Sequence, residues 1–270
     1  MKLFYRKYGE AGPPMVIVHG LYGSGDNWVS IARELATGFE VYVVDQRNHG
    51  QSPHSDIQDY PTMRDDLREF MDDQGIGKAV LIGHSMGGKS IISFALKWPE
   101  RVQSLISVDI APKSYRELGF DSHTAALHGK MIDAMLELDL SVAESREELD
   151  LALRPRIGSE RVRGFLLKNV RRDKEGIFRW RINLEALRDN LDHIMDGLDV
   201  NRVIDQGGIT GFPALFVSGA DSDYIRAEDL GFIRSIFPVA DMVTIPNAGH
   251  WVHAEQPDLL VKNIKYFLDI

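Results

Sequence analysis

The chain has 270 residues, 44% hydrophobic and 26% charged, the composition of a globular protein long enough to bury a large core. Forty acidic against 31 basic residues give a net charge of −9, which offers no general attraction for nucleic acid or an anionic membrane. Cysteine is absent, which excludes disulfides, thiolate catalysis and cysteine-held metals.

The first residues hold no apolar core of secretory length, because Arg6 and Lys7 interrupt it, and no run approaches a membrane span. A cytoplasmic protein is expected. Lys2 to Tyr8 predicts an edge strand paired through the Gly9-Glu10-Ala11-Gly12-Pro13 turn. Apolar β-rich runs follow at Met15–Val18, Glu40–Val44, Ala79–Ile82, Ser104–Val108, Ala214–Val217 and Asp241–Ile245. Between them, helices are predicted over Asp26–Ala36, Thr62–Asp73, Gly87–Lys97, Glu228–Ile236 and Asp258–Leu268. Nearly continuous apolar strands alternating with helices imply a mostly parallel sheet covered on both faces, an α/β fold.

The interval from Pro112 to Gly208 breaks the alternation. It shows helical periodicity, as at Met131, Ile132, Met135, Leu136 and Leu138, and reads as a helical insertion. The division expected is a core of residues 1–111 and 209–270 with a cap of 112–208. Inserted after a strand's C-terminal end, the cap would lie where such sheets bind ligands. The ten arginines in its stretch from Arg146 to Arg188 are the counterparts of nearby acids on solvated helix faces; a sharper reading gives some an entrance for an anionic acyl carrier such as a coenzyme A thioester.

Gly83-His84-Ser85-Met86-Gly87 stands between a predicted strand and a predicted helix. A G-x-S-x-G turn in that context lifts its serine, in a strained conformation, above the sheet edge. A serine nucleophile needs a base. His250, in Asn247-Ala248-Gly249-His250 after the last strand, is placed to return over that edge. His253 is expected to face solvent or start the final helix, and the other seven histidines to pack or lie at the surface. His84, beside the serine, should point away from it. The orienting acid is either Asp109, directly ending the strand after the nucleophile helix, or Asp221 or Asp223 in Gly219–Tyr224. In that second loop the usual G-x-x-D spacing puts Ser222 where an aspartate belongs, which favours Asp109. Backbone N–H groups of Met86 and of Leu21, in the loop His19–Gly25, are expected to hold an oxyanion. Substrate contacts are assigned to Tyr22, Trp251 and Trp180.

These segments, with Asp45-Gln46-Arg47-Asn48-His49-Gly50-Gln51-Ser52, occur in an order that resembles the α/β-hydrolase superfamily across nearly the whole chain. Arg47-Asn48-His49-Gly50, Gly87-Gly88-Lys89, Val108–Pro112 and Trp180–Leu184 are similar to small bacterial carboxylesterases and their mitochondrial abhydrolase-domain relatives. The resemblance implies the α/β-hydrolase fold, hydrolysis of short-chain carboxylic esters with acyl-CoA thioesters as a further substrate class, and again Asp109 as the acid. Asp45 and Arg47 are read as braces around the elbow. No cofactor or metal is expected; the partner is a small-molecule ester. Serine at the elbow argues against dehalogenation and epoxide opening, which use aspartate there. C–C bond hydrolysis and perhydrolysis use the same triad, and a non-catalytic ligand-binding scaffold is the remaining alternative.

Overall fold

A computed structural model describes residues 1–116 and 123–270. Seven strands form the central sheet: β1 (Tyr5–Tyr8), β2 (Pro14–Val18), β3 (Glu40–Val44), β4 (Ala79–His84), β5 (Val102–Val108), β8 (Ala214–Gly219) and β9 (Asp241–Ile245), with a separate hairpin of β6 (Val170–Arg172) and β7 (Phe178–Trp180). The spatial order is β1-β3-β2-β4-β5-β8-β9, parallel throughout except that β1 runs antiparallel to β3. The helices are α1 (Val29–Leu35), α2 (Tyr60–Asp73), α3 (Met86–Lys97), α4 (His123–Leu136), α5 (Arg146–Leu153), α6 (Glu160–Leu167), α7 (Leu184–Asp189), α8 (Leu191–Met195), α9 (Asn201–Asp205), α10 (Asp229–Ile236), α11 (Val252–Glu255) and α12 (Pro257–Phe267). Among the described residues, no helix is long and apolar enough to cross a membrane.

Why these strands read as continuous apolar runs is visible in the packing. Val16, Val18, Leu81, Leu105 and Phe216 face α2, α3 and α10, while Met15, Ile17, Val80, Ile82, Ile106 and Val217 face α1 and α12. Each strand therefore buries alternate residues in opposite layers, and both faces must be apolar.

Three expectations are corrected. The N-terminal strand begins at Tyr5 and pairs with β3, not through its turn with β2. Strand β2 is flanked on both sides by β3 and β4, so the free edge lies beyond β3. The turn crosses that gap with Gly9 and Gly12 at φ of +80° and +106°, backbone favoured only by glycine. The insertion between β5 and β8 is not wholly helical: the β6–β7 hairpin closes through Asp173, whose carboxylate accepts the N–H groups of Glu175 and Ile177. His253 does not face solvent. It is buried, stacked 4.8 Å from the Trp28 ring at 8°.

Helices α4 to α8 and the hairpin share an apolar core that includes Ile132, Met135, Leu149, Leu166 and Leu187. That core runs without interruption onto Leu21, Met86 and Ile110 at the C-terminal ends of the sheet strands. Residues 117–122 of the insertion lie outside the described residues.

Candidate active site

The turn between β4 and α3 is as tight as its glycines suggest. A Cβ on Gly87 would collide with the Val18 and His19 carbonyl oxygens, and one on Gly83 with the Gly87 backbone. Ser85 at the apex has φ +52° and ψ −122°, a conformation a side chain adopts only under strain. Positive φ recurs at Asp109 (+52°), Tyr22 (+61°) and Asn247 (+53°), all on loops leaving the C-terminal ends of strands. The Ser85 N–H donates to the Val108 carbonyl (3.0 Å) and the Asp109 N–H to the Val217 carbonyl (2.7 Å). These bonds extend the sheet ladder past the strand ends and fix both residues.

The loops bring three side chains into one line. Ser85 Oγ lies 2.9 Å from His250 Nε2, and His250 Nδ1 lies 2.8 Å from Asp109 Oδ2. With the ring proton on Nδ1 facing the carboxylate, Nε2 is left to accept the serine proton. Asp109 is fully buried. Its Oδ1 accepts the Gly219 N–H (3.0 Å), and Oδ2 also accepts the Ser222 hydroxyl. Asp221 and Asp223 are exposed and take no part in this line. Ser222 was the missed partner; its signal was the anomaly already visible, a serine at the aspartate position of the second loop.

The His250 loop is clamped from three sides. His84 Nε2 donates to the His250 carbonyl (2.7 Å), so the residue beside Ser85 supports the base from beneath. Glu255 accepts the Gly249 N–H (2.9 Å) and the Trp251 N–H (3.3 Å), one on each side of His250. Arg161 of α6 binds the same carboxylate and lies over the Trp251 ring at 5.0 Å. Burial pushes the Glu255 carboxyl up, but the Gly249 N–H and Arg161 hold it below its ordinary value. Finally, the Tyr224 ring stacks on the His250 imidazole at 3.7 Å and 17°.

Asp45 and Arg47 brace the surroundings. Asp45 accepts the Gly25 and Gln51 N–H groups at 2.7 and 2.8 Å, and Arg47 forms a two-pronged pair with buried Asp66 at 2.6 and 2.9 Å. His19 and His49 are buried beneath, and burial lowers them to about 4 and about 3.

A narrow cavity, with room of about 20 Å³ for the centres of water molecules, opens beside Ser85, lined by Leu21, Met86, Ile110, Tyr224, His128 and Lys89 among others. Leu21 and Met86 therefore border the same space as Ser85. Tyr22, Trp251 and Trp180, the three residues expected to touch substrate, lie outside that lining. Tyr22 is buried behind His128, its hydroxyl 3.3 Å from His128 Nδ1; Trp251 packs on Phe165 at 5.0 Å; Trp180 sits on β7 against the insertion's own core. Conversely, His128, Tyr224 and Lys89 line the cavity without having been singled out as site residues. Only their convergence in space identifies them. Most of the insertion's arginines are engaged, for example Arg163 with Asp150, Arg188 with Asp133, Arg179 with Asp173 and Arg146 with the Leu167 and Val170 carbonyls.

Comparison with known proteins gives concordant results. A family model described as the alpha/beta hydrolase fold matches residues 13–257. The chain is 38% identical to the "sn-1-specific diacylglycerol lipase ABHD11" of Danio rerio over 258 residues, 94% of this chain and 78% of that protein. It is also 38% identical to "Esterase YbfF" of Escherichia coli over 256 residues, 95% of this chain and 93% of that protein. A solved "Marine microorganism esterase" is 44% identical with a TM-score of 0.91, covering 98% of this chain and 99% of that one.

Proposed function

The chain belongs to the α/β-hydrolase family and is an ester-hydrolysing enzyme; from that premise we propose that it is a serine carboxylesterase that cleaves small esters with short acyl chains through an acyl-enzyme. The observation that carries this reading is the continuous line from Ser85 Oγ through His250 to Asp109, with both bonds at 2.8–2.9 Å.

In this reading Ser85 attacks the ester carbonyl as His250 Nε2 takes its proton. Asp109 fixes the imidazole tautomer and stabilises the imidazolium. The N–H groups of Leu21 and Met86 hold the developing oxyanion, and because they are backbone donors they need no reorganisation in the step. His250 then returns the proton to the departing alcohol. A water molecule, deprotonated by His250, attacks the acyl-enzyme, releasing the acid and restoring Ser85.

We assign residues 112–208 the part of a cap. Its apolar core continues onto Leu21, Met86 and Ile110, so it covers the C-terminal ends of the strands beside Ser85. With room of only about 20 Å³ for the centres of water molecules, the cavity lies far below the roughly 300–1,000 Å³ of sites for drug-sized ligands, which favours short acyl groups. Neutral oxygen esters come before acyl-CoA thioesters, since the cap arginines named above are engaged within the protein.

The test is a series of nitrophenyl esters from two to twelve carbons, run beside a fluorophosphonate probe that labels reactive serines. Turnover concentrated at the short end, with labelling lost in Ser85→Ala, is expected. Absence of labelling and of turnover would overturn the reading, and a preference for the longest chains would overturn the short-acyl assignment.

A further inference from the structure

One buried cation is left over by this machinery. Lys89, on α3 one turn beyond Ser85, is 1% exposed and lines the same cavity. Its Nζ donates to the Asp196 carbonyl at 2.5 Å and lies 4.7 Å from the Tyr115 ring centre and 5.3 Å from that of Tyr60. Among the described residues its hydrogen-bond partner is thus a neutral carbonyl. Neighbouring acids are engaged elsewhere: the Asp196 carboxylate with Arg116 and the Gly197 N–H, and Asp229 with Lys113.

An ammonium in such a place is expensive. Removed from water without a counter-ion it is unfavourable, unless it gives up its proton or meets an anion. Burial pulls Lys89 down to about 7, against the opposing charge of Asp196 and with added repulsion from Lys113. Tying the Asp196 turn to α3 would need only a neutral donor. Much of the remaining lining has a different character: Leu21, Met86, Ile110 and Met195 are apolar and suited to methylene groups, and the rings of Tyr60, Tyr115, Tyr224 and His128 complete it without another cationic lysine or arginine. A cavity with the reacting hydroxyl, an apolar wall and one under-neutralised cation matches a ligand with an ester carbonyl at one end and an anion at the other.

We propose that Lys89 receives the free carboxylate of the acyl group, making half-esters of short dicarboxylic acids the preferred substrates. This rests on the esterase reading above and narrows it. Ser85 and Lys89, one helical turn apart, line the same narrow cavity, so the linker between ester and carboxylate must be short. The aromatic faces of Tyr60 and Tyr115 hold the ammonium in place, and the arriving carboxylate supplies the charge they cannot. Because the carboxylate is bound away from the reacting carbonyl, its binding energy is available to orient the ester at Ser85.

The experiment compares monoethyl succinate with ethyl pentanoate, its nearest neutral shape, following acid release in wild type, Lys89→Met and Lys89→Arg. In wild type kcat/KM for the half-ester should exceed that for the neutral ester by at least ten-fold. Lys89→Met should reduce that ratio at least ten-fold, mainly through KM, and Lys89→Arg should restore part of it. In the unmodified protein, succinate should inhibit ethyl pentanoate hydrolysis at a concentration at least ten-fold lower than pentanoate does. This arm needs no variant, so it stands even if Lys89→Met does not fold. Equal inhibition by the two acids, or a ratio that Lys89→Met leaves unchanged, would overturn the proposal and leave the esterase reading intact. No turnover of either ester together with no labelling of Ser85 would instead remove the esterase reading.

Discussion

Ser222 and His250 meet on a single oxygen, Oδ2 of Asp109. The loop that could have supplied a carboxylate supplies a hydroxyl instead, and the carboxylate comes from the neighbouring strand end. A hydrogen bond to an ionised group contributes about 1.5–3 kcal/mol, so Ser222→Ala should lower kcat/KM by roughly ten- to a hundred-fold. Measured on a short nitrophenyl ester, an effect under two-fold would mean that the hydroxyl only packs against Asp109.

Asp109→Asn should cost far more, about 10⁴-fold, because an amide can present a donor to Nδ1 and favour the wrong tautomer. Asp221→Asn and Asp223→Asn, both exposed, should stay within a few-fold of wild type. A larger loss at either of these than at Asp109 would move the acid to the second loop. Ser85→Ala and His250→Ala should each lower kcat by about 10⁶-fold, and the double variant little further, as expected of residues that act as one unit.

Glu255 holds both peptide N–H groups that flank His250. Removing it in Glu255→Ala strands those donors, at about 1–3 kcal/mol, and should lower kcat by ten-fold or more with a smaller effect on KM. Arg161→Ala removes only a half-exposed ion-pair partner and should change kcat by less than three-fold. Steady-state kinetics of the two variants distinguishes a clamp on the base from a general tether of the cap.

Acid should destabilise the fold before most carboxylates titrate. Burial lowers His19 and His128 to about 4, and His49 and His253 to about 3, whereas the unfolded chain binds these protons near 6.5. Between about pH 4 and 6.5 the unfolded state therefore holds more protons, so stability falls as pH falls. The slope is on the order of 1.4 kcal/mol per pH unit for each such histidine. Urea unfolding at pH 7.5, 6 and 5 should show midpoints dropping steeply below 6.5. His253→Phe, which keeps a ring against Trp28, should shallow that drop, and a midpoint independent of pH across this range would contradict it.

How much of this could be read in the sequence depended on how local each signal was. Strands buried on both faces leave uninterrupted apolar runs, so β2, β3, β4, β5, β8 and β9 were legible, as was the elbow between β4 and α3. Each matching helix began within a few residues of its expected start; α2 starts at Tyr60, two residues early, because Asp59 caps it through the Thr62 N–H. The β6–β7 hairpin was not legible: three-residue strands such as Val170-Arg171-Arg172 are too short to display alternation. The burial of His253 depends on Trp28, far away in the chain, and no local pattern encodes it. The line from Ser85 to His250 to Asp109 was foreseeable because each member follows the end of a recognisable strand. Lys89 was not, because Tyr60, Tyr115 and Asp196 come from three separate segments.

The backbone of Ser85 has a consequence for the molecule's durability. At φ +52° this position is one where glycine would be more comfortable by about 1–3 kcal/mol. Ser85→Gly should therefore melt at a higher temperature than the parent while being inert towards esters. Random mutation followed by heat challenge alone would reward such dead variants, so attempts to harden this scaffold must screen for turnover in every round.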